Sequence, residues 1–500
     1  MAASEESIGS YKELQEQFVL NHNGTTLLES AVFLSTPPSA LLFWSVALPM
    51  VRCLFTKRYP KTVVFLSEFI ILVIPVILTC TIFADNILVV STTLLGFWLL
   101  FLTIGLRINF AKNGLRSCLD TVIYGGQRPF ITLFRSYTNI ITCLCILAVD
   151  FRVFPRKFAK TEFGGYGLMD TGTGLFVVAN ALVSYNPRDP KGTYGLLKIV
   201  KSSSPLLLLG IARYVVVSAL NYQTHVSEYG SHWNFFFTLA LTRALDAVLA
   251  SVFGNSSCLS IGVQFAFLAV VHEVALSAFG LRQWVFSDQT DRDSWVSANR
   301  EGLVSLVGYV ALHRAAMIIA RRIVGVPRRT LRHWLRLWLE LASASLVAWS
   351  LTPLIYRTTG VSRRLTDVGY ICWMLACALI SLTFFLGVEL TVLVVHHLRR
   401  DALPLQEKAA EQTAAVVPEL VEAVNYNGLA YFLVANLMTG LVNLSVRTLY
   451  VESGLSIAIL TLYMLALCAL VCVLHKKQIK IKVFYLCVSN IPEINSSKKW

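Results

Sequence analysis

Thirteen stretches of mostly apolar residues, each close to twenty long, recur along this 500-residue chain. They lie near residues 32–51, 64–83, 87–106, 130–149, 169–185, 205–221, 233–253, 258–280, 301–320, 334–352, 368–395, 427–445 and 455–474. An α-helix of about 20 residues crosses the hydrocarbon core of a bilayer. Lipid offers no partner to a backbone N–H or C=O, so such stretches must close their hydrogen bonds internally as helices. The expected fold is therefore all-α, a polytopic transmembrane helical bundle of about 13 spans. Composition agrees, because only 14% of the residues are charged, against roughly 25% in soluble domains. Two spans are irregular. The first contains Pro37 and Pro38, and the eleventh is long enough to tilt. The expected organisation is an N-terminal segment (1–31), a multi-span membrane domain (32–475) and a basic tail (476–500). The first thirty residues carry Glu5, Glu6, Glu13 and Glu16 and no short apolar core, so no cleavable signal peptide is expected and the first membrane helix acts as the targeting signal.

The net charge of +14 would point to nucleic acid in a soluble protein. Here the cations sit at helix ends and act as orientation signals, so no nucleic-acid partner is expected. With the loops numbered alternately, one side collects 27 Lys and Arg residues and the other 12. The richer side is expected to be cytosolic, which puts the N-terminus in the lumen or exterior and the C-terminus in the cytosol. The eleven cysteines form no CxxC pair of the zinc-binding kind, and most lie in apolar runs as small buried hydrophobes.

The poorer side nevertheless holds a dense basic cluster. Asp150 ends the fourth span, and Arg152, Arg156, Lys157 and Lys160 follow it, with Pro155 to break the helix and Gly164, Gly165 and Gly167 to keep the chain pliable. Orientation does not call for these cations, so an anionic substrate explains them, or else the phosphates of interfacial lipid. A carboxylate such as Asp150 can take the proton of an alcohol, and a neighbouring Lys160 can steady an oxyanion. The alternative for this pair is a salt bridge at a helix end. A second cluster, YQTHVSEYGSHWNFFFT from Tyr222, brings His225, Glu228, His232 and Asn234 together as a substrate rim or an aromatic belt. It lacks an obvious fourth metal ligand, so no metal is expected. A third, Asn299-Arg300-Glu301, either holds a phosphate through Arg300 or caps a helix. Ionisable groups inside spans (Arg213, Arg243, Asp246, His272, Glu273, His313, Arg314 and Glu389) are functional candidates by their cost alone, although Arg243 and Asp246 are spaced to neutralise each other. No P-loop, GxGxxG or GxSxG is present, which leaves nucleotide hydrolysis and serine-hydrolase chemistry without support. A membrane transporter or scramblase for an anionic lipid is the competing class.

The stretch ILAVDFRVFPRKFAKTEFGGYGLMD (146–170) closely resembles the signature region of the inositol acyltransferases of glycosylphosphatidylinositol (GPI) anchor synthesis, the PIG-W family. NGTTLLE (23–29), the segment 222–238 and SANREGLVSLVGYVALH (297–313) resemble it too, in order along roughly residues 15–475. The tail after about residue 476 departs from the family pattern. The resemblance implies an O-acyltransferase of the endoplasmic reticulum membrane with a lumen-facing site. It would move palmitoyl from its coenzyme A thioester, a co-substrate rather than a permanently bound cofactor, to an inositol hydroxyl, the 2-position, of glucosaminyl-phosphatidylinositol. It also implies Asp150 and Lys160 as the catalytic pair, with Arg156 and Lys157 holding phosphates. Glu162 and Asp170 lie in the same signature and are counted with the substrate-binding residues. Membrane lipids are the other expected partners.

Overall fold

The computed structural model describes residues 22–53, 60–106, 128–185, 196–219, 226–254, 257–287, 292–325, 330–399 and 416–481, with Tyr11, Leu14, Gln15, Gln17 and Phe18. The fold is a polytopic helical bundle. Ten described helices are long and apolar enough to cross a membrane, and three shorter apolar ones cover 87–103, 168–184 and 203–219. Together they coincide with the thirteen stretches read from the sequence. The two prolines of the first span do not interrupt it. A short helix, Leu27–Phe33, ends in a turn, and Pro37 and Pro38 then occupy the first turn of Thr36–Cys53, where a missing N–H costs nothing.

The centre of the bundle is built from Pro129–Ala148, Thr171–Ser184, Arg300–Val324 and Val368–Arg399, whose inward faces are buried. Leu331–Thr359 pairs with Val368–Arg399, and Cys258–Ser277 packs on the outside of Arg300–Val324. Residues 401–425 are polar in sequence, yet the described second half packs into the bundle. Residues 416–424 are buried except Glu419 and Glu422, and the helix Glu419–Tyr426 packs on Pro129–Ala148 and Ser453–Lys476. The carboxylate of Glu68 accepts the N–H groups of Glu419 and Leu420 at 3.2 and 2.8 Å, capping that helix from a neighbouring span. The residues 400–415 lie outside the described ones.

The loops that carry the sequence signatures meet at one end of the bundle. Thr25 donates to the Tyr166 carbonyl at 2.8 Å, Gly165 to that of Val361 at 2.8 Å, and Ser231 to that of Ala298 at 2.8 Å. The glycines of the signature serve close approach, where pliability was expected. A Cβ on Gly164 would lie 2.6 Å from the Val361 carbonyl oxygen, and Gly165, at φ +132°, would place one 2.3 Å from that of Asn23. Opposite them the turn 361–367 is buried throughout. A buried turn must satisfy its own backbone, and Asp367 does this by accepting from Ser362 and Tyr370 N–H groups at 3.2 and 2.9 Å.

Candidate active site

Asp150 leaves the end of Pro129–Ala148 in a tight turn. The guanidinium of Arg156 fixes that turn: it donates to the carbonyls of Val149, Phe151 and Phe154 at 2.9–3.1 Å and lies 4.1 Å over the ring of Phe18. Its Nε and Nη2 donors are thus committed to backbone, while Nη1 has no hydrogen-bond partner among the described residues. Asp150 Oδ2 accepts from Asn443 Nδ2 at 2.8 Å, from the far end of the helix Gly428–Ser445. Burial pushes the Asp150 carboxyl up to about 6, with Asn443, Lys160 and Arg156 each holding it lower. A group in that range is mostly ionised at neutral pH yet basic enough to take a proton.

Lys160 lies ten residues further on, and its ammonium pairs with Glu228 on the short helix Val226–Tyr229. Among the described residues no ion pair joins it directly to Asp150; the two sense each other through the field alone. The segment that carries Lys160 is anchored by Asp170. This fully buried carboxylate accepts from Thr161 N and Oγ1, both at 2.9 Å, and pairs with Arg363 Nε at 2.7 Å. Tyr370 donates to the Asp170 carbonyl at 2.7 Å.

Between these elements lies a cavity of about 180 Å³. One side is apolar, formed by Ile141, Ile146, Val149, Leu168 and Met169, with Phe176, Phe235 and Phe432 in mutual ring contact at 5.5–5.7 Å. The other carries Lys160, Glu228, Tyr229, Arg213 and Arg363. Tyr229 is held by a 2.9 Å hydroxyl contact with Thr173 and lies 5.6 Å from the Arg363 guanidinium. A smaller void of about 30 Å³ shares Ile141, Thr142, Leu168, Thr171 and Gly172 with this cavity and is otherwise mostly apolar, with Tyr137, Thr138 and Ser381 also in its lining. An apolar chain and a charged head can both be accommodated at such a boundary.

Other residues singled out in the sequence have local duties. Lys157 pairs with Glu29 at 3.0 Å and Asp85 at 2.6 Å, tying the N-terminal helix to the loop. The backbone carbonyl of Glu162 accepts from Arg364 at 3.1 Å. Asn234 caps Phe235–Phe253 by accepting from Phe236 and Phe237 N–H groups, and donates to the Gly210 carbonyl at 2.9 Å. Asn299 makes no side-chain cap; its Oδ1 accepts the His232 N–H at 2.9 Å and its amide donates to the Trp295 carbonyl at 2.8 Å. The His232 ring lies 5.5 Å from Tyr214. Arg300 donates to the Ser287 carbonyl at 2.6 Å, while Glu301 binds Arg292 and Arg364 as well. His225 lies outside the described residues. Among the described residues no three His, Cys, Asp or Glu side chains are grouped to hold a metal ion. Inside the spans, Asp246 pairs across helices with His313 and Arg314 at 3.0 and 2.9 Å, where the spacing pointed to Arg243.

Tyr229, Arg363 and Asn436 in the cavity and Asn443 beside Asp150 were not anticipated as site residues, while Arg213 was singled out only as an ionisable group within a span. A signal existed for Arg363. It stands with Arg364 in a loop on the cation-poor side, the same anomaly that marked residues 150–167.

A family model described as GWT1 matches residues 11–474. A human protein named glucosaminyl-phosphatidylinositol-acyltransferase PIGW is 31% identical, covering 93% of this chain and 98% of the relative. A Yarrowia lipolytica protein named GPI-anchored wall transfer protein 1 is 31% identical over 95% of this chain and 100% of its own length. An uncharacterised Arabidopsis thaliana protein is 35% identical over 83% and 88%.

Proposed function

The chain belongs to the GWT1 family, and on that footing we propose that it is an acyltransferase of GPI-anchor synthesis acting on glucosaminyl-phosphatidylinositol. In this reading it moves a palmitoyl group from acyl-CoA to the inositol 2-hydroxyl, in the endoplasmic reticulum membrane, with the N-terminus lumenal and the C-terminus cytosolic. The single observation that carries the chemistry is the cavity: a space with an apolar wall and Lys160 among its charged lining residues, and Asp150 one residue beyond the lining Val149.

The proposed step is direct. Asp150 takes the inositol hydroxyl proton as the oxygen bonds to the thioester carbonyl carbon. The C–S bond then breaks, and the departing thiolate recovers the proton from Asp150. A thioester is already activated, so no acyl-enzyme intermediate is required. The Lys160 ammonium has three N–H donors; Glu228 engages one and the others remain to hold the carbonyl oxygen as it gains charge. The apolar wall keeps water from competing for the acyl group.

The direct test is purified protein in liposomes with labelled acyl-CoA and the glucosaminyl lipid. The lipid should gain the mass of one acyl chain; flux across the vesicle with unchanged mass would instead identify a transporter. Lys160→Met should lower kcat by about 10²–10³-fold, the range for loss of one oxyanion donor, and Lys160→Arg should recover part of it. Asn443→Ala removes a hydrogen bond that favours the ionised form of Asp150. The acid limb of the rate profile, centred near 6 in the wild type if Asp150 is the base, should therefore move to higher pH. An unmoved limb removes Asn443 from this role.

A further inference from the structure

The charged lining of the cavity is unbalanced. Lys160, Arg213 and Arg363 come from three elements far apart in sequence, and Glu228 is the single carboxylate residue that lines the cavity with them. Asp170 stands behind Arg363 and engages only its Nε. Among the described residues nothing else accepts a hydrogen bond from the Arg363 guanidinium, which lines the cavity beside Glu228, the carboxylate that acts on it most strongly. Arg213 belongs to the membrane helix Leu196–Ala219, is exposed, and has no ion-pair partner among the described residues. An arginine within a membrane span is costly unless an anion meets it. Two other cations of the Asp150 loop are engaged elsewhere, Arg156 by backbone carbonyls and Lys157 by Glu29 and Asp85.

We infer that Arg213 and Arg363 form a phosphate seat, gripping non-bridging phosphate oxygens of a bound substrate across the cavity from its apolar wall. Guanidinium forks suit this task because two N–H groups match two phosphate oxygens. The inference deepens the acyl-transfer reading and rests on it. Two sources carry this chemistry, the phosphodiester of the lipid acceptor and the phosphates of coenzyme A. The seat orients the headgroup so that the reacting hydroxyl or thioester meets the Asp150–Lys160 region.

Arg213 is the residue to test, because it is exposed and its replacement leaves no buried charge unpaired. The full chain is assayed in nanodiscs of phosphatidylcholine, with Arg213→Gln and Arg213→Lys beside the wild type and size-exclusion profiles compared. KM and kcat are measured for the glucosaminyl lipid and for palmitoyl-CoA, and again with palmitoyl-pantetheine, which lacks the nucleotide phosphates. The expected result is a KM raised about tenfold for one substrate, with kcat changed less than twofold and Arg213→Lys intermediate. A rise for the glucosaminyl lipid assigns the seat to the phosphodiester. A rise for palmitoyl-CoA, with wild type and variant alike on palmitoyl-pantetheine, assigns it to coenzyme A. Wild-type transfer with both KM values unchanged in Arg213→Gln overturns the seat and leaves the acyl-transfer reading standing. No wild-type transfer at all overturns both.

Discussion

Asp150→Asn is expected to abolish acyl transfer, by about 10²–10⁴-fold or more, the contribution of a positioned general base. The bundle should stay intact and become slightly more resistant to heat. The second expectation separates a catalytic carboxylate from a structural one. Burial raises the Asp150 carboxyl to about 6 from an ordinary 3.8, so its ionised form is disfavoured in the folded protein. A raised carboxyl stabilises the fold when protonated, and that stabilisation is lost as pH rises through about 6. At neutral pH the charge therefore costs stability, on the order of 1–2 kcal/mol after allowance for its partial exposure. Asparagine removes that cost and can still accept from Asn443. Thermal unfolding in detergent at pH 7.5, read beside turnover, checks both. A variant that melts earlier while retaining transfer would sink the assignment of Asp150 as the base.

Asp170→Ala should be the most destabilising single change in the signature. Its carboxylate is fully buried against Arg363, and removing one partner of such a pair leaves a charge without compensation, a loss of about 3–5 kcal/mol. Thr161 loses two hydrogen bonds at once, both to Asp170 Oδ2, so the segment bearing Lys160 loosens. Activity should fall with the fraction folded rather than through a raised KM. The double variant Asp170→Leu, Arg363→Met should regain much of the melting temperature without regaining transfer, since charge removal restores packing but not the site. An Asp170→Ala protein that melts like the wild type with only KM changed would make Asp170 a substrate ligand.

The spans were legible because each is a local property. Some twenty consecutive side chains decide whether a segment prefers hydrocarbon, and no distant residue alters that balance. Residues 148–170 were legible as an anomaly, a basic cluster on the side where orientation needs none. What the sequence did not reveal is how that cluster is spent. Arg156, Lys157 and Lys160 look alike in a string, yet one clamps a turn, one ties the N-terminal helix, and one faces the cavity. The i, i+3 spacing of Arg243 and Asp246 was likewise a local cue, overridden by His313 and Arg314 on another helix.

The sequence by itself determined the class, the number of apolar stretches and the stretch where the chemistry gathers, because hydropathy and charge act over neighbouring residues. The tertiary structure alone decided which charges meet. Asn443 reaches Asp150, Glu228 reaches Lys160, and Arg363 reaches Asp170 across separations of 293, 68 and 193 residues. Contacts of that reach follow from how the helices pack and where their loops converge.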